Sequence, residues 1–342
     1  MVMKMKKVKE ITPRKWGILA IIIFLGAVIG CALLTVIVDP YFHYHAPIKG
    51  ISYRLYEQRY INDGISRHFE YDTVITGNSL SENFRTSEIE EVFGGKCVKL
   101  SYSGAGYKEL WGSLDRTLSY NPETEKVFVI VDSNDIDRDK DYMRYTDYPE
   151  YLYDDNLWND SAYLWNKDIL YRGTLYNILM TVTGKPSTTF DEYSAKEEET
   201  GAREVLQYVK DIPDEEDIEI QEYEEESKKN VLENVTENIL PVIRKYPDTE
   251  FYIVFAPPSI AKWCGYYRKG QIESYIYGMK DMAQILLQEP NVELYNFQND
   301  VELTCDLNNY RDTIHYSTDV TSYMLQCIDA GNFEWNTDNY EE

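Results

Sequence analysis

From Tyr71 onward, short apolar runs with strand-like composition alternate with longer helix-like stretches. Five runs have the length and the Val, Ile, Phe and Tyr content of strands: 72–76, 96–100, 126–131, 250–256 and 292–297. Apolar residues recur at helical spacing in the stretches 107–118, 227–246, 271–288 and 318–328. Strands that alternate with helices form a parallel sheet covered on both faces. The sequence therefore predicts a three-layer α/β/α domain around a five-stranded parallel sheet.

Polar residues follow four of the predicted strands. Ser79 comes after the first strand, Gly104 after the second and Asn134 after the third. Asp312 and His315 follow the fifth strand. Because the carboxyl ends of parallel strands share one edge, where ligands bind in such sheets, these residues are expected to converge there.

A serine, a histidine and a carboxylate at one edge are the parts of a nucleophilic catalyst. The chain has only four histidines, and His315 alone follows the fifth strand, with Asp312 three residues before it. The other three histidines are His43, His45 and His68. Two structural alternatives stay open: Ser79 as a helix N-cap and His315 as a surface residue on a loop.

These residues resemble the SGNH, or GDSL-like, hydrolase superfamily, whose four blocks contribute a serine, a glycine, an asparagine and an Asp-x-x-His. The resemblance implies a flavodoxin-like, SGNH-type fold and a serine esterase or O-acyltransferase. It assigns Ser79 as nucleophile, His315 as base and Asp312 as the carboxylate that orients it. The oxyanion donors would be the N–H groups of Ser79 and Gly104 and the side-chain amide of Asn134.

The sequence departs from the family pattern at three positions. Asp132 replaces a glycine, Tyr316 replaces a proline and Asn78 replaces an aspartate. A carboxylate at position 132 would oppose the negative charge that develops in an oxyanion hole, unless its side chain points away into a hydrogen-bond network. A non-catalytic assembly protein or polysaccharide-binding protein with this fold is therefore the alternative function.

The N-terminal region contains an uncharged apolar run, 16–38, that is long enough to cross a bilayer as a helix. Basic residues precede it, which predicts a cytoplasmic N-terminus, a single span and an extracellular domain. A cleaved signal peptide is disfavoured by the length of the run. A lipoprotein signal ending at Cys31 is disfavoured because the sequence stays apolar after that cysteine.

The predicted organisation has one anchor, one catalytic domain and one insertion. Its segments are a cytoplasmic basic tail (1–15), a transmembrane anchor (16–38), a juxtamembrane linker (39–70), the SGNH-like domain (71–138 and 227–330), a Tyr-rich acidic insertion (139–226) and a C-terminal tail (331–342). Within the insertion, Tyr151, Tyr153 and Trp158 are candidates for stacking on a sugar, with ordinary packing as the equally weighted alternative.

An anchored, external SGNH-like domain resembles cell-envelope proteins that assist teichoic-acid D-alanylation and alginate O-acetylation. That resemblance implies an acylated polysaccharide or cell-wall polymer as substrate, and a membrane-bound O-acyltransferase as partner. The aromatic residues of the insertion suit a carbohydrate ligand.

Net charge and cysteine content bear on the possible partners, cofactors and disulfides of the chain. The formal net charge of −25 argues against nucleic acid as a partner, because phosphate neutralisation requires Lys and Arg. The sequence contains no cofactor motif, and its histidines and cysteines form no recognisable metal-binding pattern. Cys264 and Cys305 both fall in regions expected near the active-site edge, and they are the predicted disulfide pair.

Overall fold

The computed structural model describes residues 12–145, 147–209 and 218–341. The described residues divide into two compact units. One consists of the residues up to Arg54 together with Glu150–Ser187, and the other of Leu55–Pro149 together with the residues from Thr188 onward. The expected insertion 139–226 is thus divided between the units, and 150–187 groups with the N-terminal segment.

The larger unit is built on a mostly parallel sheet. Its strands are β1 (Thr73–Gly77), β2 (Cys97–Ser101), β3 (Lys126–Val131), β4 (Glu250–Phe255), β5 (Val292–Asn296) and β6 (Glu334–Trp335). They lie in the order β2-β1-β3-β4-β5-β6. The first five are parallel, and β6 pairs antiparallel with β5. The predicted count of five strands was wrong by this short edge strand, which lies in the expected C-terminal tail.

Helices connect the strands of this unit. They are α2 (Gln58–His68), α3 (Thr86–Phe93), α4 (Tyr107–Tyr120), α7 (Ala202–Leu206), α8 (Glu225–Glu233), α9 (Leu240–Lys245), α10 (Ile260–Arg268), α11 (Ile272–Leu286), α12 (Val301–Cys305) and α13 (Thr318–Asp329). A π-helical segment, Asn234–Ile239, joins α8 to α9. The region 39–70, expected to be a linker, contains α2, which belongs to the sheet unit.

The side chains of successive strand residues point to opposite faces of the sheet, and both faces are buried. On one face, Ile75, Phe128 and Ile130 join a core with Ile89 of α3 and Met324 of α13. On the other face, the ring of Phe251 lies 6.4 Å from that of Trp111 in α4. The two-sided cover is consistent with the predicted three-layer α/β architecture.

The smaller unit contains the apolar N-terminal helix α1 (Pro13–Val38), α5 (Ser161–Leu164), a π-helical segment (Ile169–Leu175) and α6 (Tyr176–Val182). The helix α1 is long enough and apolar enough to cross a membrane, and only 17% of its most apolar window is buried. A core helix of a soluble protein would be mostly buried. The basic residues Lys4, Lys6, Lys7 and Lys9 lie outside the described residues.

Candidate active site

Ser79, His315 and Asp312 form a continuous hydrogen-bonded chain at the carboxyl end of the sheet. Ser79 begins a single 3₁₀ turn directly after β1. Its Oγ lies 2.8 Å from Nε2 of His315, and Nδ1 of the same ring lies 2.5 Å from Oδ2 of Asp312. All three side chains are partly buried. This arrangement allows the imidazole to accept the serine proton while the carboxylate holds the ring in the required tautomer.

The carboxylate of Asp312 is held by the backbone as well as by the imidazole. Its Oδ1 accepts hydrogen bonds from the N–H groups of Ile314 and His315, both at 2.8 Å. Burial opposes ionisation of Asp312, but the bonds and charge of His315 together with the backbone donors lower its pKa below the usual value. Asp312 is therefore an anion at neutral pH, available to stabilise an imidazolium.

The sequence around Ser79 explains why the hydroxyl stands at the strand end. Gly77 closes β1 beside β3, where a Cβ would lie only 2.8 Å from the carbonyl oxygen of Ile130. Asn78 then caps the turn, because its Oδ1 accepts from the N–H of Leu80 at 3.0 Å. The strand order changes direction between β1 and β3, which is the switch point where doubly wound sheets bind ligands.

Asn134 is fixed in orientation by two neighbours. Its Nδ2 donates to Oδ1 of Asp132, and its Oδ1 accepts from the hydroxyl of Tyr266. Burial raises the pKa of Tyr266, so this phenol remains a donor at neutral pH. An amide nitrogen carries two hydrogens, so one N–H of Asn134 is left for a substrate oxygen.

The carboxylate of Asp132 is occupied by three donors. Besides Nδ2 of Asn134, it accepts from the backbone N–H of Asn134 and from Nδ2 of Asn78, each at 2.9 Å. Asp132 therefore lies in a hydrogen-bond network that links the turn after β1 to the turn after β3. The two residues noted above as departures, Asn78 and Asp132, are thus hydrogen-bonded to each other.

The loop that carries Gly104 has a conformation that only glycine adopts easily. Its φ is +70°, and a Cβ would lie 3.0 Å from Cδ of Arg144. The preceding residue, Ser103, donates its N–H to Oε1 of Gln58 at 2.6 Å and accepts from Arg59 at 3.1 Å through its carbonyl. Helix α2 thus supports this loop.

Two backbone donors near the serine have no protein acceptor. Within the described ranges of the chain, neither the N–H of Ser79 nor that of Gly104 makes a hydrogen bond to another residue. Together with the spare N–H of Asn134, these are the three groups that the sequence predicts as oxyanion donors.

Tyr316, which follows His315, connects the histidine loop to the turn that carries Ser79. Its buried hydroxyl donates to the carbonyl of Leu80 at 2.9 Å, and its own carbonyl accepts from Nδ2 of Asn83 at 2.9 Å. The backbone N–H of Arg311 donates to the carbonyl of His315 at 3.0 Å. These bonds connect residues far apart in sequence and restrict the position of the imidazole.

The buried side chain of Lys99 is hydrogen-bonded to the segment that follows Ser79. Nζ of Lys99 in β2 donates to the carbonyls of Glu82 and Phe84, at 2.7 and 3.0 Å. Burial lowers the pKa of Lys99 to about 8, although the charges of Asp191 and Glu82 oppose the shift. Burial of the charged ammonium group therefore costs free energy in the folded state. Its hydrogen bonds to the carbonyls near the turn offset part of that cost.

This lowered pKa predicts a pH-dependent difference in stability between the wild type and Lys99→Met. The folded-state pKa of about 8 lies below the unfolded value of about 10.4, so the folded wild type binds fewer protons between them. Its free energy of unfolding should then rise by about 1 to 3 kcal/mol relative to the variant from pH 7.5 to pH 10. Urea unfolding of both proteins at each pH measures this, and a constant difference would contradict it.

A cavity of about 150 Å³ includes Thr313, the residue that follows Asp312 in the sequence, in its lining. Its lining includes Tyr266, Tyr275, Lys262 and Lys269. Burial lowers the pKa of Lys262, and the charge of Lys269 adds to the effect, while nearby carboxylates oppose it. Neither lysine forms an ion pair with a carboxylate in the described part of the chain. The lining of this cavity therefore includes two aromatic rings and two lysine side chains.

Tyr151, Tyr153 and Trp158 belong to the smaller unit, and Trp158 is 93% exposed. Their role in binding a sugar stays a prediction.

The predicted disulfide between Cys264 and Cys305 is absent, because both are free, exposed thiols. Trp263 and Cys305 line a common cavity that does not include Cys264. Neighbouring helical residues point about 100° apart, so the side chain of Cys264 is turned away from that cavity.

Sequence analysis missed several residues that shape the site. Tyr266 and Lys262 lie on α10, which follows β4 and therefore begins at the same edge of the sheet. The position of α10 directly after β4 could therefore have indicated these two residues. No comparable signal marked Arg144 or Gln58, because they reach the Gly104 loop through tertiary contacts alone.

Comparisons with known proteins give limited information. No protein-family model matches the chain, and no curated protein matches it significantly. Among solved structures, the chain is similar to one described as a "putative platelet activating factor" from Streptococcus pneumonia. The two are 16% identical with a TM-score of 0.39, over 80% of this chain and 89% of that chain.

Proposed function

We propose that this chain is a membrane-anchored serine esterase or O-acyltransferase that acts on acyl groups of a cell-envelope polysaccharide. The observation that carries the proposal is the distance of 2.8 Å between Oγ of Ser79 and Nε2 of His315, with Asp312 on the far side of the ring. Ser79 and His315 are 236 residues apart in the sequence, so only the tertiary fold brings the hydroxyl and the imidazole together.

In the proposed reaction, His315 removes the proton from Ser79 as Oγ attacks the ester carbonyl. Asp312 stabilises the imidazolium that forms, and the donors of Ser79, Gly104 and Asn134 bind the oxyanion. The C–O bond of the ester then breaks, and His315 returns the proton to the leaving alcohol. Water or a sugar hydroxyl, deprotonated by the same imidazole, takes the acyl group and frees the serine.

The environment of the site supports a polar, sugar-like substrate. The cavity that includes Thr313 is lined by Tyr266, Tyr275 and two lysines, and aromatic rings and charged donors are suited to hydroxyl-rich ligands. We propose an extracellular location for the domain, with α1 as a single-pass anchor and its N-terminus in the cytoplasm, and a membrane-bound O-acyltransferase as a partner.

Labelling with a fluorophosphonate probe tests the proposal on the full-length protein. The probe should attach to Ser79 in the wild type and be lost in Ser79→Ala. The matched control is Ser81→Ala, because Ser81 lies in the same turn but its Oγ contacts the carbonyl of Asn78 rather than an imidazole. Peptide mass spectrometry locates the modified serine.

The outcomes separate the two candidate functions. Labelling of Ser79 supports the enzyme. A folded wild-type protein that is not labelled, and that does not hydrolyse p-nitrophenyl acetate, contradicts it and favours the non-catalytic polysaccharide-binding alternative. Supplying a sugar acceptor then separates the two enzyme classes, because a transferase passes the acyl group to the acceptor faster than to water.

A further inference from the structure

The smaller unit carries an exposed apolar helix face beside the end of α1. The face consists of Tyr171, Leu175, Leu179 and Val182, which are spaced four, four and three residues apart along the π-helical segment and α6. Leu179 is 56% exposed and Val182 is 80% exposed. A surface helix normally presents charged or polar residues to water on this side, so the face requires a partner.

The opposite side of the same helix is already packed. Ile169, Gly173, Thr174, Asn177 and Met180 are buried, so the helix cannot rotate its apolar face inward without exposing this second set. One side of the helix is therefore packed within the unit, and the apolar face of Tyr171, Leu175, Leu179 and Val182 lies on another side, which is exposed.

The helix is joined directly to the membrane-side segment. Thr174 Oγ1 donates to Oγ1 of Thr35 in α1 at 3.3 Å, in a buried contact. The hydroxyl of Tyr163 donates to Oδ1 of Asp39, the residue that ends α1, at 2.7 Å. From Trp16 to Thr35, α1 rises about 30 Å, which matches the hydrocarbon thickness of a bilayer. The contact at Thr35 therefore lies near the level where a spanning helix leaves the lipid.

The charges near this face are those of a membrane-surface helix. The charged residues from 161 to 187 are three basic and one acidic, Lys167, Arg172, Lys185 and Asp168, although the whole chain has a net charge of −25. Trp165, 57% exposed, precedes the helix. Basic residues flanking an apolar face, with Trp and Tyr nearby, are typical of helices that lie in the headgroup region of anionic bilayers.

We infer that the face of Tyr171, Leu175, Leu179 and Val182 inserts into the outer boundary of the lipid bilayer and forms a second membrane contact beside α1. The inference depends on α1 spanning the bilayer and is independent of the esterase proposal. Two contacts fix the tilt and rotation of the smaller unit on the membrane, whereas α1 alone would leave the unit free to rotate about the axis of that helix.

Fluorescence quenching by spin-labelled lipids tests the inference in the full-length protein. Cys31, Cys264 and Cys305 are replaced by serine, and a single NBD label is attached at Leu179→Cys or Val182→Cys. The protein is reconstituted in phosphatidylcholine and phosphatidylglycerol vesicles that contain doxyl-labelled lipid. The label should emit at shorter wavelength than in water and lose most of its emission to the quencher.

Two further positions provide matched controls. Val301→Cys, 67% exposed in the larger unit, should emit as in water and remain unquenched. Leu25→Cys in the middle of α1 should be quenched as strongly as any position. Labels at 179 and 182 that behave like the label at 301 overturn the inference, as does an unquenched label at 25.

A protein partner on this face would give a different result. The labels at 179 and 182 would then report water in the vesicles and become shielded only in native membranes. That outcome would also overturn the lipid contact.

Discussion

Replacing Asp312 with asparagine is expected to lower kcat/KM for ester hydrolysis by about 10³- to 10⁴-fold with little change in folding. The asparagine oxygen can still accept the N–H groups of Ile314 and His315, which keeps the loop in place. Its NH₂ group, however, would face Nδ1 of His315 in place of an acceptor. The imidazole would then carry its proton on Nε2, from which it cannot accept the proton of Ser79.

Steady-state kinetics with p-nitrophenyl acetate measure this effect, and circular dichroism and thermal unfolding establish that the variant is folded. The matched control is Asp319→Asn, an exposed carboxylate in the first turn of α13, which should keep wild-type activity. A folded Asp312→Asn variant that loses less than about tenfold would show that the carboxylate does not orient the base.

Replacing Asp132 with asparagine is expected to lower kcat by about 10²- to 10³-fold, with a smaller change in KM. Oδ1 of the carboxylate accepts from both donors of Asn134, and Oδ2 accepts from Nδ2 of Asn78. An amide has one oxygen, so its NH₂ group would face a donor of Asn78 or of Asn134. The link between the turns after β1 and β3, which helps to hold Asn134, would then break. Because oxyanion donors act mainly in the transition state, the loss should appear in kcat.

The control for this variant is Asp139→Asn, because Asp139 also accepts a backbone N–H, from Asp141 at 2.8 Å, but is exposed and does not contact Asn134. It should retain wild-type kinetics. If Asp132→Asn raised kcat, the carboxylate would be opposing the negative charge of the oxyanion, and this explanation of its role would be wrong.

The residues of the proposed active site were predictable because strand ends of a parallel sheet share one edge. Ser79, Gly104 and Asn134 each follow a strand that is apolar and short, and such runs are visible in sequence. The count of histidines left His315 as the remaining candidate for a base. The Ser79–His315 contact itself is a tertiary observation, and the catalytic roles stay a proposal.

The local sequence pattern did not predict the residues that surround and hold the proposed active-site residues. Lys99 lies in an apolar strand, and nothing in the local sequence indicates that its charged side chain is buried. Its ammonium group is accommodated because carbonyls near the serine turn accept its hydrogen bonds. Tyr266 reads as one aromatic among many. Its hydroxyl contacts Asn134 because the fold places α10, which follows β4, next to the turn after β3.

By itself, the sequence determined the α/β alternation, the apolar helix at the N-terminus and the set of residues at the carboxyl ends of the strands. Each of these depends on the periodicity or composition of a short segment, which local backbone geometry decides. The tertiary structure decided the direction of Asp132, the burial of Lys99, the extra strand β6, the free thiols of Cys264 and Cys305, and the grouping of 150–187 with the N-terminal segment. Those features depend on contacts between residues far apart in the chain, whose partners no local pattern specifies.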